Sequence, residues 1–292
     1  MATATATRGA YGDDVIRLDD GRRLGYAEYG DPEGAPVIFF NGAPATRIQG
    51  AMVAEVATRS KVRLICPDRP GYGLSDQKRG RLLIDWPADV VQLAAGLAIE
   101  RFAVVGHSTG GPHAAACAFR IPDRLTGVAI SSGAGPFGPT AGTTPRLRQL
   151  MRLVAKYPSS VQPVLWLLVR AVHRWPEGTV NRLSATECVF DQEVIRDYRE
   201  IFLYDKLEAM RQGTSGFLGD LIILSRPWGF RLEDINIPVH LWHGELDDTV
   251  VPEVGRYVAK TIPDCRATFL PDAGHLLFAR HMDAILAALT GS

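Results

Sequence analysis

Apolar positions along the chain follow two rhythms. Over residues 1–133, and again from 236 to 292, short runs of consecutive β-branched, aromatic and aliphatic residues alternate with stretches whose apolar positions recur every three to four residues. The short runs are "PVIFF" from Pro36, "VRLICPD" from Val62, "FAVVG" from Phe102, "IPVHLWHG" from Ile237 and "ATFL" from Ala267. A strand that is apolar at successive positions must be buried on both faces, which predicts a parallel sheet covered by helices. Between the runs the pattern predicts helices from about Thr46, near Asp85, after "FAVVG", near Glu253 and from His275. The second is the best marked, with Asp85 as N-cap, Pro87 in the first turn, and Val90, Leu93, Ala94 and Leu97 on one face. Ahead of all of them, "VIRL" from Val15 and "RRLGYAEYG" from Arg22, joined by Asp19-Asp20-Gly21, predict a hairpin.

From Gly133 to about Leu232 the strand-like runs stop. Glycine and proline turns are followed by helical patterns: "RLRQLMRLVAKY", "VQPVLWLLVRAVHRW", "DQEVIRDYREIFLYDKLEAMRQ" and "SGFLGDLIIL". A helical stretch of this length inserted in an α/β chain predicts a lid over one edge of the sheet. The predicted architecture is a mostly parallel central sheet flanked by helices, built from residues 1–133 and 236–292, with a helical cap over 134–235.

Composition narrows the function. Of 292 residues, 46% are hydrophobic, enough for one large α/β core with an insertion. Lysine plus arginine equals aspartate plus glutamate at 32 each, so the whole chain carries no excess of either sign to draw nucleic acid or an anionic membrane. Cys66, Cys117, Cys188 and Cys265 lie far apart without C-x-x-C spacing, which reads as free thiols in a reducing compartment. The first ten residues have neither a basic start nor an apolar segment and read as a loose tail. "VLWLLVRAV" from Val164 is too short, and too broken by Arg170, to span a bilayer. A cytoplasmic protein acting on a small neutral partner, with no membrane span, is the expectation.

The chemistry gathers around "VVGHSTGGP". Gly106-His107-Ser108-Thr109-Gly110 places a serine between glycines where a buried strand gives way to a helix. Small flanking residues let that turn be tight enough to lift Oγ clear of the backbone, and the helix start aims N–H groups at the space above it. A serine needs a base to take its proton and a carboxylate to orient the base. Asp247, in "WHGELDDTVVP", follows the run "PVHLWHG", and His275, in "PDAGH", follows "ATFL", so both fall on loops at the sheet edge that carries Ser108. Asp248 adjoins Asp247 and is the other candidate acid.

With "DRPGYGLSD" at Asp68–Asp76, "HGELD" and "AGH" beside "GHSTG", the chain resembles α/β-hydrolase-fold serine hydrolases over nearly its whole length. The resemblance implies Ser108 as nucleophile, His275 as general base and then acid, and Asp247 as orienting acid, the spacing from Gly244 favouring Asp247 over Asp248. Where the family usually reads His-Gly, this chain has Asn41-Gly42-Ala43-Pro44; the oxyanion hole then falls to the N–H groups of Ala43 and Thr109, with Asn41 bracing the loop. The implied reaction is hydrolysis of a small or medium apolar carboxylic ester or lactone through an acyl-enzyme, with no cofactor. Ser108 excludes the aspartate-based epoxide hydrolases and dehalogenases of this fold. A carbon–carbon bond hydrolase, a cofactor-free haloperoxidase and a slow-turnover receptor for a small ligand share the same three residues. A scaffold whose lid binds a partner has no need to keep them all.

The other residues have blander readings. His107 reads as packing beside the turn, and His113, His173 and His281 as structural. His240 and His243, three apart in a strand, point to opposite faces and cannot share a metal, so no metal site is expected. "DRPGYGLSD" lacks the lysine of a phosphate loop and reads as a shaped turn, with Asp68 and Arg69 paired to structure. Trp166, Phe217 and Leu221 are candidates for lining a cavity or for plain helix packing.

Overall fold

The computed structural model describes residues 12–136 and 145–290. The tail expected at residues 1–10 and part of the junction into the cap lie outside them.

Eight strands form one sheet. β1 (Asp14–Arg17) and β2 (Arg23–Gly30) make the hairpin, followed by β3 (Ala35–Phe40), α1 (Ala54–Arg59), β4 (Val62–Pro67), α2 (Trp86–Gly96), β5 (Phe102–His107), α3 (Gly110–Arg120) and β6 (Leu125–Ser131). The cap then supplies α4 (Pro145–Lys156), α5 (Gln162–Arg174), α6 (Pro176–Ser184), α7 (Val189–Asp197), α8 (Arg199–Ala209) and α9 (Ser215–Leu224). The core resumes with β7 (Val239–Gly244), α10 (Pro252–Thr261), β8 (Cys265–Leu270) and α11 (Phe278–Thr290). Strand order is β1-β2-β4-β3-β5-β6-β7-β8, antiparallel at β1/β2 and β2/β4 and parallel elsewhere.

Successive residues of the central strands feed two separate cores. Phe40, Val104 and Val128 pack with Leu93 of α2, Ala114 of α3 and Val258 of α10; Phe39, Val105 and Ala129 pack with Ala57 of α1 and Ile285 and Leu286 of α11. This double burial is the physical reason for the uninterrupted apolar runs. Each fully buried Val, Leu, Ile or Phe among them contributes about 1.5–3 kcal/mol.

Three local departures from the sequence pattern matter. The chain after Thr46 first makes a 3-10 turn, Arg47–Val53, and only then α1. The run expected to be one helix over 191–212 breaks at Tyr198 (φ −108°, ψ 27°) into α7 and α8, which lets Asp191 and Asp205 turn toward different core loops. The last helix begins at Phe278, so His275 sits in the turn before it. Among the described residues, no helix is long and apolar enough to cross a membrane.

Candidate active site

β5 ends at His107 and α3 begins at Gly110, so Ser108 and Thr109 make the whole reversal. Ser108 takes φ +54°, a left-handed conformation that costs a non-glycine residue roughly 1–2 kcal/mol. Hydrogen bonds hold it there: its N–H donates to Ser131 O at 3.0 Å, and its carbonyl accepts the N–H groups of Gly111 and Ala134, each at 3.0 Å. The flanking glycines are sterically required. A Cβ on Gly110 would lie 2.0 Å from Phe40 O, and one on Gly106 would lie 2.3 Å from Gly110 O.

The structure brings Ser108, His275 and Asp247 together. Ser108 Oγ lies 2.9 Å from His275 Nε2, and His275 Nδ1 lies 2.9 Å from Asp247 Oδ2 and 3.1 Å from Oδ1. With Nδ1–H donating to the carboxylate, Nε2 is left to accept the serine proton. Asp247 Oδ1 also accepts the N–H groups of Thr249 at 3.0 Å and Val250 at 2.8 Å, while Asp248 is exposed. Burial would pull the His275 imidazole down, but the charge and hydrogen bond of Asp247 outweigh it and hold it above its ordinary value. Burial would raise Asp247, yet His275 and His243 keep it well below the usual carboxylate range.

Other histidines surround this chain. His243 Nε2–H donates to Val250 O at 2.7 Å and lies 3.4 Å from Asp247 Oδ2, a bracing role the strand-face argument did not reveal. Its position four residues before Asp247 was the available signal. His107 packs its ring 4.4 Å from Phe278 and 4.9 Å from His275, and burial, then the nearby His275, push it well below its ordinary value. His113 is pushed down to about 3 by burial, with Arg69 adding to the effect. His240 is partly buried in β7, on the opposite side from His243.

Ala43 lines the cavity beside Ser108, and Thr109 directly follows the serine at the start of α3. Between them lies Arg69, fully buried and central to the loop's shape. Its guanidinium donates to Asn41 O, to Asn41 Oδ1 at 2.6 Å, to Gly42 O at 2.7 Å and to Thr109 Oγ1 at 3.2 Å. Asp68 and Arg69 are both ion-paired, each with a different partner: Asp68 Oδ2 with Arg47 at 2.9 Å, and Arg69 with Asp220 Oδ2 of α9 at 2.8 Å. Asp220 also takes Arg81 at 2.7 Å and the Tyr72 hydroxyl at 3.0 Å.

Asp220 is one of three buried cap aspartates that reach the core loops. Asp205 of α8 accepts both the N–H and the hydroxyl of Thr46, each at 2.7 Å. Asp191 of α7 accepts the N–H groups of His275 and Leu276. Sequence reasoning missed all three, because polar positions on a helical pattern read as solvated faces. Their core partners lie 84 to 159 residues away along the chain.

A cavity of about 310 Å³ opens over Ser108 and His275, with Leu168, Val172, Ile195, Phe202, Met210 and Phe217 among its apolar walls. Phe217 therefore lines it, whereas Trp166 and Leu221 do not; Trp166 faces outward on α5. Lys206 and Glu187 are charged residues at its wall, Lys206 donating to Pro44 O and paired with Asp205 at 3.3 Å. Among the described residues, Glu187, Asp191 and Asp248 bring metal-type ligand atoms within 4.8 Å of one another. Within this group Asp191 also accepts two backbone amides.

The chain belongs to the alpha/beta hydrolase family, whose profile it matches over residues 37–288. It is 30% identical over 133 residues to the non-heme chloroperoxidase of Streptomyces lividans, covering 45% of this chain and about half (48%) of that one. It is 28% identical over 286 residues to haloalkane dehalogenase 2 of Mycobacterium tuberculosis, covering 91% and 90% of the two chains. In structure it is similar to the enol-lactonase of Burkholderia xenovorans, with a TM-score of 0.71 at 19% identity over 95% of this chain and 98% of that one. These relatives are named for different chemistries.

Proposed function

We propose that this hydrolase cleaves a small to medium apolar carboxylic ester or lactone through an acyl-enzyme on Ser108. The observation that carries the reading is the unbroken hydrogen-bonded chain from Ser108 through His275 to Asp247 at the floor of an apolar cavity. Ser108 Oγ attacks the carbonyl carbon as His275 Nε2 takes its proton. The carbonyl oxygen becomes an oxyanion received by the N–H groups of Ala43 and Thr109, and each such donor is worth about 2.7–4 kcal/mol in the transition state. Collapse expels the alcohol oxygen, which takes the proton from His275. Water, deprotonated by the same imidazole, then releases the acid and restores Ser108.

The cavity volume suits an acyl or lactone group of modest size. The cap is tied to the core by Asp191, Asp205 and Asp220, an arrangement that favours turnover over a receptor that must move its lid to signal. A dehalogenase-type step needs a carboxylate where Ser108 stands. Four free thiols support a reducing, cytoplasmic setting. The test is a screen of p-nitrophenyl esters of graded chain length and of simple lactones. Multiple turnover that vanishes in Ser108→Ala supports the reading; turnover retained in that variant ends it.

A further inference from the structure

The neutrality of the whole chain hides a local imbalance. Residues 145–183 carry seven basic side chains, Arg146, Arg148, Arg152, Lys156, Arg170, Arg174 and Arg182, against one acid, Glu177. Among the described residues, Arg152, Lys156, Arg170, Arg174 and Arg182 enter no salt bridge. The same stretch exposes large apolar groups: Val164 at 67%, Trp175 at 61%, Leu167 at 59% and Trp166 at 54%.

On α5 the two features share a stripe. Helical spacing puts Trp166, Leu167, Arg170 and Arg174 on one face, and buried Leu165 and Val172, with cavity-lining Leu168, on the other. Three cations lie over neighbouring rings: Arg170 over Trp166 at 5.5 Å, Arg174 over Trp175 at 5.4 Å and Lys156 over Tyr157 at 5.2 Å. Tryptophan and tyrosine beside long cationic side chains, on an amphipathic helix too short to span a bilayer, suit the headgroup layer, where rings bury their apolar edge and cations meet lipid phosphates.

We propose that the outer face of α5, with the adjoining Trp175, is a docking surface for an anionic lipid membrane. Charge chooses this occupant. A second copy would bring two strongly positive faces together, which like-charge repulsion opposes. Nucleic acid would satisfy the arginines but leave Val164 and Leu167 without an apolar partner. Because the inner face of α5 lines the cavity, docking would place the site beside apolar esters dissolved in the lipid. The proposal concerns binding and stands apart from the identity of the reaction.

The test is co-sedimentation of the full chain with phosphatidylcholine vesicles, and with vesicles in which roughly one third of the lipid is phosphatidylglycerol. Binding to the anionic vesicles is expected to be at least about tenfold tighter and to weaken as salt rises. Trp166→Ala with Leu167→Ser, and separately Arg170→Glu with Arg174→Glu, are each expected to reduce it at least about tenfold while circular dichroism and thermal unfolding stay as in wild type. Equal binding to both vesicle types, no binding, or wild-type binding by the folded charge-reversal variant overturns the proposal. So does a concentration-dependent dimer that forms in place of vesicle binding, or tighter binding to an oligonucleotide than to the anionic vesicles.

Discussion

The carboxylate of Asp191 holds the backbone of His275. One oxygen accepts the His275 N–H at 2.8 Å and the other accepts the Leu276 N–H at 2.7 Å, so a cap helix fixes the turn that presents the imidazole. The arrangement makes the cap part of the site's scaffold rather than a cover laid over it.

Removing that carboxylate leaves two buried N–H donors unpaired, at about 1–3 kcal/mol each. Asp191→Ala is expected to lose about 2–6 kcal/mol in urea unfolding and at least tenfold in kcat, with Asp191→Asn in between. A variant with wild-type stability and kcat would show that the turn holds itself.

The Arg69–Asp220 pair does the same for the loop that carries Ala43. Asp220→Ala strands the buried guanidinium of Arg69 and is expected to cost about 3–5 kcal/mol of stability. Arg69→Lys cannot span Asn41, Gly42 and Thr109 with one ammonium, and is expected to lower kcat by about 10²-fold with KM little changed. A loss confined to KM would place Arg69 in substrate binding instead.

Most of the core could be read from the chain because strands buried on both faces leave an unmistakable apolar run, and the elbow was legible because Gly106 and Gly110 admit no side chain. Ser108, Asp247 and His275 were readable as strand-end residues on one edge. The cap was legible only as helices. Which face of α5 turned inward depended on packing against α6 and α8 within the cap, so Trp166, a candidate lining residue by composition, lies outside. Asp191, Asp205 and Asp220 gave no local sign, since their partners are distant loops and nothing near them in sequence distinguishes a buried carboxylate from a solvated one.

The pH profile follows from His275. On the proposed mechanism the imidazole must be neutral to take the serine proton, so kcat/KM is expected to fall as pH drops through its folded-state pKa, which Asp247 raises above the ordinary 6.5. The acid limb is therefore expected above pH 6.5. Asp247→Asn removes the charge that lifts it, moving the limb to lower pH while kcat drops by about 10⁴-fold. A limb that stays in place in the variant would assign it to another group.

On the proposed reaction, the length of the cavity would set the chain preference. Val172→Phe narrows the pocket and is expected to shorten the longest acyl chain accepted; Phe217→Ala opens it and is expected to gain up to about 0.8 kcal/mol in kcat/KM for each added methylene. Unchanged chain-length profiles in both variants would remove the cavity from acyl binding.

The most direct test of the whole account is intact-mass analysis after exposure to a fluorophosphonate. One adduct is expected, mapped to Ser108, complete in the wild type and abolished in both Ser108→Ala and His275→Ala. An adduct on another residue, or undiminished labelling of the Ser108→Ala protein, would contradict it.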